Sequence, residues 1–177
     1  EALSGAQLGS LTTEQVAGLT TAQLRAIETR DIASLTTDQL TSIDDGDMVA
    51  LTTSQVVALS GAQVASLTED QLDGLTSVQL RAIEVADIGS LTTDQVVTLD
   101  SAQLSYLTTS QVAGMNSDQL SAIDAGEIVG LTTAAVEALS GAQLGSLTTE
   151  QVAGLTTAQL RAIETRDIAS LTTDQLT

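Results

Sequence analysis

A large apolar residue falls on every eighth position of this chain, from Leu3 through Leu171, giving 22 octads without a break. A second aliphatic or Met side chain sits five residues on in every octad: Leu8, Val16, Leu24, Ile32, Leu40, Met48 and so to Leu176. Ser, Thr, Asp or Asn fills the second place, except at Glu28, Glu84 and Glu164, and Gln or an acid fills the fifth, except at Ala135. Repetition this strict makes the octad the unit of the structure, and any fold has to restart every eight residues.

A continuous helix fails that requirement. At about 100° per residue, eight residues carry the apolar pair about 80° past its previous bearing, so no stripe persists and the drift is too large for a supercoil. A flat strand fails as well, because two residues five apart point to opposite faces. A β-solenoid could bend between them, but no glycine recurs at a fixed place in the octad.

A short helix satisfies each place in turn. In LTTEQVAG (residues 11–18) Thr12 is an N-cap and Gln15 the third helical residue, which reaches back to the cap's own N–H to complete a capping box. Leu11 and Val16 then occupy the two places of a hydrophobic staple. Small residues end the octad (Ala17-Gly18, Ala33-Ser34, Ala65-Ser66) and permit a sharp turn, with glycine serving several octads just past the helix. Helices of about five or six residues fall far below the ~12–15 needed for isolated stability, so they must stack. The expected fold is therefore an all-α solenoid, a superhelix of very short capped helices, one per octad. Its aliphatics face a common axis, and its Thr, Gln and acids face water.

A longer order overlays the octad. Ile-led octads begin at Ile43, Ile83, Ile123 and Ile163, a spacing of five octads or 40 residues, and one more at Ile27 breaks the register by whole octads. We expect about five octads per superhelical turn from this order. Residues 1–41 are identical to residues 137–177. The chain thus reads as one continuous tandem array, 1–177, cut from a longer repeat protein.

Composition narrows function. Aromatics make up 1% of the chain, Tyr106 alone, so the core is built of small aliphatics in thin layers. The five basic residues (Arg25, Arg30, Arg81, Arg161 and Arg166) face 23 acids, for a net charge of −18. That surface repels phosphate backbones and anionic lipid, which argues against nucleic-acid partners and membrane-surface binding. No apolar run reaches the ~20 residues that span a bilayer. His, Cys and Lys are all absent, so the usual bases and activated nucleophiles are missing, and every acid pair recurs where an enzyme's site would be singular. We expect no enzyme and no cofactor.

The Ile-led octads concentrate acid at both cap places: Glu28/Asp31, Asp44/Asp47, Glu84/Asp87, Asp124/Glu127 and Glu164/Asp167. At five octads per turn, those from Ile43 onward would align as a column of carboxylates. Two readings stand. In one, Ca²⁺ binds at DDGD (Asp44, Asp45, Asp47) and at DAGE (Asp124, Glu127), where acids cluster round a glycine turn. In the other, these acids complement helix dipoles, and Arg25, Arg81 and Arg161, each three residues ahead of an acid, neutralise Glu28, Glu84 and Glu164.

Locally, LTTEQVAG resembles the start of TAL-effector repeats, although the long unit, the base-reading pair and the basic surface of that family are absent. Along its whole length the chain is similar to the LTTxQ(V/L)xxL tracts of large bacterial secreted and cell-surface proteins of adhesin-like type. That resemblance implies an extracellular or cell-surface setting and a structural role as stalk, spacer or filament. Partners would then be neighbouring repeats or further copies of the chain, in polymers or lateral assemblies. A binding module, either a calcium-stiffened adhesin stalk or a peptide-binding groove, is the alternative.

Overall fold

The computed structural model describes residues 4–163 and 165–176, without the side chains of residues 165 and 166. Leu3, Glu164 and the Arg166 side chain therefore lie outside the described residues. Among those described, the chain holds 19 α-helices and three 3₁₀ helices and no strand. Each of the 22 octads carries one helix, so the octad is the structural unit.

The local cause is the cap. Thr36 (φ −69°, ψ 162°) is extended, its hydroxyl accepts the Gln39 N–H, and the Gln39 side chain accepts the Thr36 N–H, after which helix Thr37–Thr41 runs. The same reciprocal pair opens helices Thr13–Ala17, Glu69–Asp73 and Thr149–Gly154, among others. The next lead residue ends the helix by leaving helical space, as Leu67 does (φ −54°, ψ 136°) after helix Gly61–Ser66. Between helices Gly61–Ser66 and Glu69–Asp73 two extended residues, the lead Leu67 and the cap Thr68, make the turn.

The glycines do not make it. Among the described residues no glycine has a positive φ, and Gly18 ends its helix at φ −85°, ψ 2°. Some glycines serve close approach instead. A Cβ at Gly74 would lie 2.8 Å from the Asp45 carbonyl oxygen, and one at Gly154 would lie 2.7 Å from that of Ala125. Backbone passes too near for any side chain at these two places.

The octads form two compact units, Glu1–Ser90 and Leu91–Thr177, of eleven octads each. In the first, helix Gly5–Gly9 packs on helix Thr29–Ile32, Thr13–Ala17 on Thr37–Thr41, and Thr53–Val57 on Ser77–Ala82. In the second, helix Thr93–Val97 packs on Ser117–Ala122 and Thr133–Glu137 on Thr157–Ala162. Each partner lies three octads further along the chain. Within each unit the lead and sixth-place aliphatics form the core: Leu24, Leu40, Leu72, Leu104 and Leu120 are all completely buried.

Candidate functional site

The feature that repeats through both units is a buried glutamine. Gln71 has no exposed surface, and Gln39, Gln55, Gln63 and Gln79 are buried with it in the first unit. Its Oε1 accepts the N–H of its own cap, Thr68, at 3.1 Å. Its Nε2 donates to the carbonyls of Leu40 (3.0 Å) and Ile43 (2.8 Å), which lie 31 and 28 residues back. Gln55 reaches Leu24 and Ile27 in the same way, Gln63 reaches Ile32 and Leu35, and Gln79 reaches Met48 and Leu51. In the second unit Gln151 bonds Leu120 and Ile123, and Gln159 bonds Ile128 and Leu131.

One side chain therefore closes its own helix and ties it to the turn below. No buried side-chain polar atom among the described residues lacks a hydrogen-bond partner. The sequence expectation, which turns the glutamines toward water, is corrected here. They are interior because an amide offers an acceptor to the cap and donors to carbonyls that would otherwise be buried with one partner fewer.

The ladder also fixes the pitch. Bonds 28 and 31 residues back, with helix contacts three octads apart, place between three and four octads in each turn rather than five. The 40-residue order belongs to the sequence alone. Within the first unit, Ile-led octads five apart (Ile43 and Ile83) therefore fall on different sides, so their acids do not stack as the expected column.

The acids of those octads have other employment. Asp44 accepts the Gly46 N–H at 3.0 Å, and Asp124 accepts the Gly126 N–H at 2.7 Å, each a tight local turn. Asp45 is exposed and lies 3.5 Å from the Thr68 hydroxyl, and Asp47 is half-buried at the start of its 3₁₀ helix. Glu127 accepts the N–H of Ser101, the first residue of helix Ser101–Tyr106, at 2.6 Å. Asp87 likewise accepts the N–H of Gly61, at the start of helix Gly61–Ser66. Among the described residues no three acids gather in a geometry that could hold a metal ion.

A fifth-place acid cannot donate to carbonyls, and Asp87 and Glu127 turn instead to the N–H at the start of the helix three octads back, where the dipole favours negative charge. Asp87 thus stands in the first turn of its own helix and also bonds the start of a neighbouring one. Burial and the nearby Glu84 push the Asp87 carboxyl above its ordinary range, and the Gly61 N–H partly offsets this. The cap acids Glu28 and Glu84 make no side-chain cap bond, and their helices, Thr29–Ile32 and Val85–Ile88, are only four residues long.

One arginine pairing differs from expectation. Glu28 pairs with Arg30 at 2.7 Å rather than with Arg25. Both side chains are at least half-exposed, where such a pair contributes little. Glu164 lies outside the described residues, and Tyr106 is half-buried at the end of its helix.

With helix, cap and buried glutamine placed, the match to known sequences becomes informative. A family model described as the ALTTAQ repeat matches residues 24–61, 41–77, 80–117, 96–133 and 120–157. The chain belongs to the ALTTAQ repeat family. Its own LTTAQ phrases, at 19–23 and 155–159, are lead, cap, first two helical residues and capping-box glutamine of an octad. No curated protein matches the chain. Among the described residues no helix is long and apolar enough to cross a membrane.

Proposed function

We propose that this ALTTAQ array is a structural spacer, a stalk that holds other modules apart at a bacterial cell surface. The observation that carries this reading is the ladder. An interior octad that carries the glutamine, such as that of Gln71, spends its cap, its glutamine and both aliphatics on itself and the octads around it, and the octads differ chiefly at exposed places. A scaffold built by repeating one such unit lengthens by addition of units, which is the property a spacer needs. The charge of −18 keeps such a surface soluble and discourages collapse onto anionic neighbours.

Electron microscopy of the 177-residue chain beside a version extended by one 136-residue sequence period tests the reading. A spacer gives particles of equal width, with contour length growing in proportion to the octads added. Particles that grow in width instead would refute it. The cellular setting is tested separately, with antibodies to the array on intact bacteria that carry the gene. Labelling only after lysis would contradict the surface assignment.

A further inference from the structure

Four pairs of octads carry a matched set of residues. Glycine stands at the third place of an octad three times, at Gly5, Gly61 and Gly141. Each lies 29 residues before a serine, Ser34, Ser90 or Ser170, at the last place of an Ile-led octad with an acid at its fifth place. A fourth pair holds the same two residues in reverse, Ser101 and Gly130. In every case the two octads pack: helices Gly5–Gly9, Gly61–Ser66 and Gly141–Ser146 on Thr29–Ile32, Val85–Ile88 and Thr165–Ile168, and helix Ser101–Tyr106 on the 3₁₀ helix Ile128–Gly130.

The contact has room for one side chain of the two. A Cβ added at Gly5, Gly61 or Gly141 would stand 3.3, 3.2 or 3.1 Å from the Cβ of Ser34, Ser90 or Ser170, and nearer still to its hydroxyl. Gly130 reverses the fit, because a Cβ there would stand 2.5 Å from the Cα of Ser101 and run into its carbonyl. The fifth-place acid draws the two helices together: Asp87 accepts the Gly61 N–H, and Glu127 accepts the Ser101 N–H at 2.6 Å. A glutamine octad can take both side chains, since Ser42, in the octad of Gln39, lies over Thr13 and donates to its carbonyl at 3.0 Å. The octad of Ile43, with Ala50 at its last place and Thr21 29 residues back, stands outside the set.

We propose that the third-place glycine, the fifth-place acid and the last-place serine are specificity-determining residues, a pairing code that selects the octad on which an Ile-led octad stacks. Such a code is needed because the array is otherwise ambiguous. Leads, caps and glutamines recur every eight residues, so a turn one octad longer or shorter would make nearly the same bonds. A shift of one octad would carry Ser90 from Gly61 to Thr53 or Glu69, and Ser170 from Gly141 to Thr133 or Thr149. Each of those residues adds a Cβ where there is no room for it, and Glu69 would also set a second carboxylate against Asp87. The glycine pairs therefore disfavour the wrong register more than they strengthen the right one, and the reversed pair shows that the constraint falls on the pair and not on either place. The code acts on contacts inside each unit and is independent of the spacer reading.

Thermal melts of the full chain test it in two ways. In a double-mutant cycle, Gly61→Ser should lower the melting temperature by about 2–10 °C. In a Ser90→Gly background the same change should cost less than half as much, because the pair then has the order of Ser101 and Gly130. Equal losses in both backgrounds would overturn the proposal. Exchange of whole octads then reads the choice of partner. Exchanging residues 51–58 with 59–66 keeps composition and every lead, cap and glutamine place, but sets a threonine beneath Ser90. Exchanging residues 75–82 with 83–90 as well brings the acid octad back over the glycine octad, three octads apart. The single exchange should melt below wild type, and the double exchange should recover most of the loss. A single exchange that melts with wild type, or a double exchange that melts no higher than the single one, overturns the proposal.

Discussion

Replacing Gln71 by Ala removes three hydrogen bonds, one from the Thr68 N–H and two to the carbonyls of Leu40 and Ile43. The cap itself survives, because the Thr68 hydroxyl still accepts the backbone N–H of residue 71. The Leu40 carbonyl also keeps the Ile43 N–H, so one acceptor is only partly deprived. At a net value of about 1 kcal/mol per bond, the loss is about 3 kcal/mol. Gln15→Ala is the matched control. Gln15 is exposed and makes only its capping-box bond to the Thr12 N–H, so its loss is about 0.5–1 kcal/mol. Urea denaturation followed by circular dichroism reads the two global costs. Amide exchange adds the local one, since the octads led by Leu35, Ile43 and Leu67 should lose protection together in Gln71→Ala. Equal costs for the two variants, or loss of protection confined to the Leu67 octad, would refute a ladder that couples turns.

Further outcomes follow from the same geometry. Gln71→Glu keeps the acceptor but buries a carboxyl facing two carbonyls, so its folded pKa rises above the unfolded value; stability is retained at low pH and lost as pH rises through the folded value, a trend that acid-to-neutral urea titrations read. For Asp87, also raised in the folded state, the sign is the same, so Asp87→Asn should gain on wild type at neutral pH and lose that advantage below the ordinary carboxylate range. Gly74→Ala forces a Cβ against the Asp45 carbonyl and should cost about 1–3 kcal/mol, whereas Gly18→Ala, near only its own helix, should be neutral or stabilise by up to about 1 kcal/mol, as thermal melts will show. Deletion of residues 51–58, one whole octad, should leave a cooperatively melting helical protein, while deletion of residues 51–54 should not.

One helix per octad is legible in the sequence because caps, boxes and staples are local. Thr12, Gln15, Leu11 and Val16 are all within five residues of one another, and their spacing alone specifies a helix start. The pitch is not legible, because it is set by bonds across 28 and 31 residues that no local pattern displays. A signal is nonetheless present. Gln stands at the fifth place in 16 of the 22 octads, yet Glu would serve a capping box equally well. A preference for the amide over the acid points to a needed N–H donor, and hence to carbonyls elsewhere. The Ile-led acids escape a local reading for the same reason: Glu127 finds its partner at Ser101, on a different turn, and not within its own octad.

The turn of between three and four octads is the central claim, and a disulfide tests it most directly. The chain contains no cysteine, so a designed pair is unambiguous. A Cβ at Gly5 would lie 3.3 Å from the Ser34 Cβ, close to the ~3.5–4.5 Å of a disulfide. Gly5→Cys/Ser34→Cys, 29 residues apart, should oxidise readily and raise the melting temperature of the chain. Gly5→Cys/Asp45→Cys, 40 residues apart, should stay reduced under the same conditions. Ready closure of the 40-residue pair, with the 29-residue pair left open, would contradict a turn of this size.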